Sequence, residues 1–106
     1  MTYQMTLDAL ANDARREIVE ILRDSPKPVS ALAHALPISR PAVSQHLKIL
    51  SDAGLVSMKP NGTRHLYALR PDGIAALRAY LDTLWTDALG AYVARAHDIA
   101  QGERNG

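Results

Sequence analysis

The sequence predicts a mainly α-helical fold with one small β-hairpin, and three observations support that prediction. Apolar residues recur at helical spacing in the first, central and last parts of the chain. Two short segments of strand character flank an Asn-Gly pair at 61–62, which is a strong hairpin signal. The 106 residues are 47% apolar and include no cysteine, so we expect one ordered domain over 1–106, without disulfides or thiolate metal sites.

The first helical region is expected from about residue 6 to residue 24. Leu7 and Leu10 mark an opening turn or short helix, and Asn12 or Asp13 then interrupts it and can cap a second helix. The prolines at 26 and 28 end the region, because proline and the residue before it resist helix. The apolar face of the second helix consists of Ile18, Ile21 and Leu22.

The most informative segment is 39–53, which indicates a helix with one apolar edge and one polar face. Val43, Leu47 and Leu50 recur at i, i+4 and i+7 and therefore share a buried face. Ser39 can cap the helix through its hydroxyl, and proline at 41 is tolerated in the first turn. A short apolar helix at 30–36 precedes this segment across a tight turn. That helix-turn-helix order is typical of proteins that place the second helix in the DNA major groove.

A hairpin is expected directly after this helix, which Gly54 closes as a C′ residue. Residues 55–59 and 63–69 predict two strands joined by a turn at 60–62. A hairpin in this position is a wing. Its basic tip residues, Lys59 and Arg64, could reach the DNA backbone or the minor groove beside the helix.

Charge is segregated along the chain, although the net charge is only +1. Residues 27–70 carry six Lys or Arg against one Asp, whereas the segments before and after each have a net charge of −2. Such a basic centre is typical of a nucleic-acid-binding surface. An uneven but merely solvated surface is the alternative.

Two side chains on the polar face, Ser44 and Gln45, are the candidate base-contacting residues. Glutamine can bond adenine N6 and N7, and serine can bond either base of a pair. Arg40 and Lys48 are favoured as phosphate contacts, since most protein–DNA hydrogen bonds go to the backbone. Arg64 could enter a narrow minor groove or remain an exposed hairpin charge. The predicted DNA-binding set is Ser39, Arg40, Ser44, Gln45, Lys48, Lys59 and Arg64.

A long last helix is expected from Pro71 to about Ala100, with apolar residues repeating every three and four positions. The roughly 27 residues that follow the Pro-Asp-Gly start at 71–73 extend about 40 Å as a helix, which exceeds what so small a domain can cover. Part of the stripe is therefore expected to pack on a second chain, although Tyr80, Trp85 and Tyr92 could instead line an effector pocket. The predicted dimer interface comprises Leu7, Leu10, Ile74, Leu77, Leu81, Leu84, Trp85, Ala88 and Tyr92.

The order of these motifs resembles that of the ArsR family of bacterial winged-helix regulators. The resemblance rests on Leu-Ala-Asn-Asp-Ala-Arg-Arg-Glu-Ile at 10–18, Val-Ser-Gln-His-Leu at 43–47 with Gly-Leu-Val at 54–56, and Asn-Gly-Thr-Arg-His-Leu-Tyr at 61–67. It implies an α-α-α-α-β-β-α winged helix-turn-helix and a homodimer formed by the first and last helices. It also implies repression from an inverted repeat in promoter DNA.

The chain departs from the metal-sensing members of that family. Their thiolate sites would need cysteines near 30–36, and this chain has none. In the last helix, aligning Asp87 with the family's first acidic ligand puts Leu89 where a histidine should be, and placing His97 as a later ligand puts Ala100 at its partner. One histidine cannot supply the three or four ligands of a zinc-type site. We therefore expect a metal-independent member without a cofactor and with an unknown effector, if any.

Other functions find little support in the sequence. There is no glycine-rich phosphate loop and no histidine placed against a nucleophile, so an enzyme is not expected. No apolar run approaches ~18 residues and no signal segment is present, so we expect a cytoplasmic protein without a membrane partner. A winged-helix interaction module without sequence-specific DNA binding stays the alternative. For His46, at the edge of the buried side, a structural hydrogen bond is favoured over base contact or metal binding.

Overall fold

The computed structural model describes the backbone of residues 3–105 and the side chains of residues 4–100. Within this part of the chain, five helices and one antiparallel hairpin follow in the predicted α-α-α-α-β-β-α order, which confirms the fold class. The elements are α1 (Tyr3–Leu10), α2 (Asp13–Leu22), α3 (Val29–Ala35), α4 (Arg40–Asp52), β1 (Val56–Asn61), β2 (Arg64–Leu69) and α5 (Pro71–Asn105). Because α5 projects away from the other elements, the molecule measures 74 × 26 × 22 Å.

Polar contacts fix the joint between α1 and α2. Asn12, rather than Asp13, is the N-cap of α2, and its side-chain oxygen accepts from the backbone N–H of Arg15 at 3.1 Å. Arg15 Nε donates to the carbonyl oxygen of Ala9 at 2.6 Å, and Arg16 Nη1 donates to that of Leu10 at 2.8 Å. These carbonyls end α1 and have no partner within the helix, so two cationic side chains both satisfy them and complement the helix dipole.

The hydrophobic core lies where α2, α3 and α4 meet the base of the hairpin. The predicted buried face of α4 is confirmed, since Val43, Leu47 and Leu50 are at most 1% exposed. Each fully buried side chain of this size contributes about 1.5–3 kcal/mol through apolar burial. The other fully buried large residues are Ile18, Leu32, Leu55 and Val56.

Both ends of α4 are formed as predicted. Ser39 Oγ accepts from the backbone N–H of Ala42 at 3.3 Å, and the proline at 41 lies in the first turn. At the other end Gly54 has a φ of +78°, which glycine adopts without steric cost. Its N–H donates to Ser51 O at 2.9 Å and the N–H of Leu55 donates to Leu50 O at 3.0 Å, the two bonds of a Schellman motif.

The hairpin turn differs from the sequence prediction. Asn61 pairs with Arg64, so Pro60 and Asn61 belong to β1 and the turn consists of Gly62 and Thr63 alone. Gly62 has a φ of +66° and no described non-glycine residue has a positive φ, which is the pattern of a type II′ turn. Proline is accommodated because each strand of a two-stranded sheet is an edge.

The wing is attached to the helix-turn-helix by a short bridge ahead of α3. The N–H of Lys27 donates to Tyr67 O at 2.9 Å, and the N–H of Tyr67 donates to Lys27 O at 2.8 Å. This pair fixes β2 beside the start of α3. The angle between wing and helices is therefore set by backbone hydrogen bonds as well as by apolar packing.

The last helix begins at Pro71 as predicted but extends to Asn105, beyond the expected end near Ala100. Two hydrogen bonds from the Arg70 guanidinium, at 2.6 and 3.2 Å, hold the pKa of Asp72 below its ordinary value at the start of the helix. Gly73 is buried there, and a Cβ on it would overlap the carbonyl oxygen of Gly54. The first turn of α5 is thereby packed against the end of α4.

Candidate nucleic-acid interface

The outer face of α4 carries the predicted base-contacting residues. Ser44 and Gln45 are exposed, and the neighbouring Val43 and Leu47 are buried on the opposite side. Anchoring by the buried pair leaves the polar side chains pointing into solvent near the N-terminal half of the helix. A helix presented in this way fits the major groove of DNA.

Lys48 makes an ion pair within the same helix. Its Nζ lies 3.3 Å from a carboxylate oxygen of Asp52, and the two side chains are 77% and 59% exposed. Exposed ion pairs contribute only about 0–1 kcal/mol to stability. Lys48 can therefore leave Asp52 and bind a DNA phosphate at small cost.

Two predicted DNA contacts, Arg40 and Arg64, meet in one groove, which we call the arginine notch. Arg40 comes from the first turn of α4 and Arg64 from the wing, and together with residues at the start of α3 they line a volume of about 260 Å³. Guanidinium groups match the geometry of phosphate oxygens, so two of them in one groove suit a DNA backbone phosphate. The other lining residues are Pro28, Val29, Ser30, Thr63, His65 and Tyr67.

Ser30 and Thr63 are hydroxyl-bearing members of this notch that sequence reasoning missed. They lie 33 positions apart in the chain. No spacing rule connects them, because they meet only through the bridge between Lys27 and Tyr67. Two features of the sequence could have pointed to them. Thr63 directly precedes Arg64 in the turn, and Ser30 lies in the first turn of α3.

Lys59 does not join the arginine notch. It lies opposite Leu66 in the hairpin and lines a second groove of about 360 Å³ with Pro26 and Arg70. The two predicted basic tip residues are thus separated. Arg64 lies beside α4, and Lys59 faces the junction between the wing and α5.

His46 accepts a structural hydrogen bond, as the sequence favoured. Arg15 Nη1 lies 3.3 Å from His46 Nδ1, and both side chains are partly buried. Arg15 was not among the predicted residues. It belongs to α2, 31 positions before His46, so no local pattern links the two.

The predicted dimer-interface residues fall into two groups. Leu7, Leu10 and Leu77 are half-buried within the chain, where α1 and the start of α5 pack together. The remaining ones are exposed, including the two aromatic side chains, Trp85 at 69% and Tyr92 at 71%. The exposed group comprises Ile74, Leu81, Leu84, Trp85, Ala88 and Tyr92, and the stripe continues through Leu89, Val93 and Ile99.

Metal-binding clusters and membrane spans are both missing from the described residues. Histidine, aspartate and glutamate side chains there form no group of three or more that could hold a metal ion. No helix in the described part of the chain combines the length and apolar character needed to span a membrane.

An exposed polar face on a helix that follows a tight turn, with a basic hairpin beside it, defines a winged helix-turn-helix DNA-binding protein. A family model described as bacterial regulatory protein, arsR family, matches residues 12–58. The HTH-type transcriptional regulator Rv2034 of Mycobacterium tuberculosis is 57% identical over 84 residues, which cover 79% of this chain and 78% of that protein. The chain therefore belongs to the ArsR family of bacterial DNA-binding transcriptional regulators, and the expectation that it is not an enzyme is confirmed.

Two other relatives add to this picture. The HTH-type transcriptional repressor SmtB of Mycobacterium tuberculosis is 45% identical over 69 residues. These residues cover 65% of this chain and 51% of that protein. The solution structure of the homodimeric winged helix-turn-helix DNA-binding domain of Mb0332 from Mycobacterium bovis superimposes with a TM-score of 0.65 at 28% identity, covering 79% of this chain and 78% of that one. DNA binding and homodimerisation are typical of the family.

Proposed function

We propose that this protein is a homodimeric repressor that binds an inverted-repeat operator in double-stranded promoter DNA and needs no metal for binding or release. The observation that carries the proposal is the convergence of Arg40 and Arg64 on one notch beside the exposed Ser44 and Gln45. Phosphate contacts in the notch would set the position of α4 on the duplex, and the two polar side chains would contact the bases.

The exposed stripe of α5 supports the dimer. Large apolar side chains from Leu81 onward lie in solvent in the single chain, and a contiguous apolar surface of this kind marks an interaction site. A second copy offers the same stripe, and a two-fold interface is the commonest way to cover it. Two copies of α4 would then enter successive major grooves ~34–36 Å apart, which requires a symmetric operator.

In this proposal, the bound dimer represses transcription by occupying the promoter. A dimer bound across a promoter excludes other proteins from the same DNA, and the similar protein SmtB is a repressor by name. Independence from metal is supported by the absence of cysteine and by Leu89 and Ala100 at positions where the last-helix ligands would be needed. A site of action at the chromosome implies the cytoplasm.

The proposal is tested by selecting duplexes from a random DNA pool with the purified protein and mapping the selected sequence by footprinting. The expected result is an inverted repeat whose half-site centres lie about one helical turn apart, protected on one face of the duplex. The same repeat is then expected upstream of a gene whose expression rises when this protein is deleted. Failure to enrich any sequence would favour a winged-helix module that contacts proteins instead.

A further inference from the structure

Arg15 occupies a joint between three helices. It belongs to α2, its Nε donates to the carbonyl oxygen of Ala9 at 2.6 Å at the end of α1, and its Nη1 contacts Nδ1 of His46 on α4 at 3.3 Å. A third and longer contact runs from Nη2 to the carbonyl oxygen of Asp8 at 3.5 Å. One planar guanidinium therefore connects α1, α2 and the helix that carries the base-contacting residues.

The chemistry of the contact assigns the donor and the acceptor. Arginine offers only donors, so His46 Nδ1 must accept and the ring proton lies on Nε2. A histidine with protons on both nitrogens, or with its proton on Nδ1, would lose this hydrogen bond. The contact is thus specific for one neutral tautomer of His46.

The position of His46 gives the contact a consequence for DNA recognition. It directly follows Gln45 and precedes the buried Leu47, so it lies at the border between the DNA face and the core face of α4. Apolar packing of the core face is non-directional, whereas a hydrogen bond is directional. Since side-chain tips lie about 5–6 Å from a helix axis, a rotation of about 10° would move the Gln45 amide by about 1 Å. A displacement of that size takes a bidentate hydrogen bond to a base outside the allowed range of donor–acceptor distances.

We propose that Arg15 is a positioning residue that holds α4 in the rotation required for base recognition, through its hydrogen bond to His46. This inference rests on the proposed DNA-binding function and adds to it a residue that touches no base. Because Ala9 and Asp8 belong to α1, which packs on α5, the same side chain also connects the dimerising helices to the recognition helix. Arg15 thereby makes sequence discrimination sensitive to the arrangement of the helices that form the dimer.

The test uses variants of His46 that keep, move or remove the hydrogen-bond acceptor. His46→Asn keeps an oxygen at the position of Nδ1, His46→Gln moves the acceptor one bond further out, and His46→Leu removes it. Arg15→Lys keeps the charge but loses the planar fork of donors. The matched control is Arg23→Lys at the C-cap of the same helix, because Arg23 donates to the exposed Glu20 at 2.8 Å.

The measured quantity is the ratio of the dissociation constants for scrambled and operator duplexes, with the full-length dimer at a temperature where every variant is folded. His46→Leu, His46→Gln and Arg15→Lys should each lower this ratio about three- to tenfold for each half-site, since one hydrogen bond is removed in each protomer. His46→Asn and Arg23→Lys should stay within about twofold of the wild type. Combining Arg15→Lys with His46→Leu should cost no more than either change alone, because both remove the same contact.

A second measurement reports on positioning rather than on stability. Nitrogen-15 spectra of the histidines should show His46 as the Nε2–H tautomer in the wild type and a mixed population in Arg15→Lys. Unchanged discrimination in the His46→Leu and Arg15→Lys variants, with Gln45→Ala still losing it, would overturn this inference and leave the proposed function intact. Absence of any operator preference in the wild type would overturn both.

Discussion

In the proposed function, single side chains on α4 divide DNA binding between specificity and affinity. Ser44 and Gln45 extend from an anchored helix face and can contact base edges, whereas Lys48 carries charge on a long and mobile side chain. The pairing of Lys48 with Asp52 means that a phosphate must compete with a carboxylate for the ammonium group. The free protein therefore holds one of its cations in a weak internal pair.

Replacing Asp52 with asparagine should strengthen DNA binding. The change frees Lys48 and removes a negative charge near the phosphates, so affinity for operator and scrambled duplex should rise together by about two- to fivefold at low salt. The gain should shrink as salt screens it. Fluorescence anisotropy across a salt series measures the effect, and Glu20→Gln, which breaks the similar exposed pair with Arg23 on α2, is the control. A gain confined to the operator, or equal in the control, would show that Lys48 is not the group released.

The ends of helices and strands could be predicted from the sequence where they depend on adjacent residues. The contacts that join segments distant in the chain could not. Ser39 and Gly54 identified both ends of α4, because a cap and a Schellman motif involve residues within a few positions. The hairpin was predicted but its turn was displaced, because glycine alone supplied the positive φ and Asn61 could remain in the strand. The helix α5 passed its expected end because no proline follows Ala100.

The joints that orient α4 depend on contacts remote in sequence. Arg15 meets His46, and the buried Thr6 donates from its hydroxyl to the carbonyl oxygen of Ala53 at 3.4 Å, 47 positions away. Apolar periodicity does not encode such polar pairs. The exposed polar face of α4 could therefore be predicted from the sequence, but the residues that hold it in place could not.

The contact between Gly73 and Gly54 gives a prediction for the joint between α4 and α5. Gly73→Ala should destabilise the protein by about 2 kcal/mol or more, because the added Cβ meets a backbone carbonyl that cannot move without shifting the end of α4. The matched change Gly90→Ala lies in the same helix with nothing within 4 Å of the new Cβ and should stabilise by about 0.5–1 kcal/mol. Urea unfolding at one protein concentration compares the two. A neutral Gly73→Ala would mean that the two elements are not packed as described.

In the molecule as a whole, α5 is the longest of the described elements, and we propose that it forms the dimer interface. From residue 81 to residue 100 every side chain of α5 is exposed in the single chain. One face of this helix is apolar, and the opposite face carries charged and small residues. Association of two chains would cover the apolar side and set the spacing of the two α4 helices.

A double change of Leu81 and Leu84 to aspartate should convert the dimer to monomer, since it places charges in the apolar stripe. Sedimentation velocity at micromolar concentration measures the assembly, and operator affinity should fall with it. The control places aspartate on the opposite face, at Ala79 and Thr86, where the dimer should persist. A wild-type monomer at that concentration would contradict the assembly and would require the long helix to fold back on its own chain.

Operator binding should be insensitive to zinc, arsenite and chelator. The chain lacks cysteine, and its last helix lacks the ligand spacing of a zinc-type site. Anisotropy titrations with and without each reagent check this expectation, together with calorimetry for zinc uptake. Stoichiometric zinc binding at sub-micromolar affinity, with release from DNA, would show that the protein senses metal.

Whether α4 binds DNA and contacts its bases is tested by measuring the affinity of the Gln45→Ala and Lys48→Ala variants for operator and scrambled duplexes across a salt series. Gln45→Ala should cost about 1–3 kcal/mol per half-site on the operator and little on scrambled DNA, because it removes a base contact. Lys48→Ala should weaken both duplexes alike and make the salt dependence shallower, by roughly one unit of slope for each phosphate that is no longer neutralised. If Gln45→Ala leaves discrimination intact, that residue does not contact bases, and if neither variant changes affinity, α4 is not the element that binds DNA.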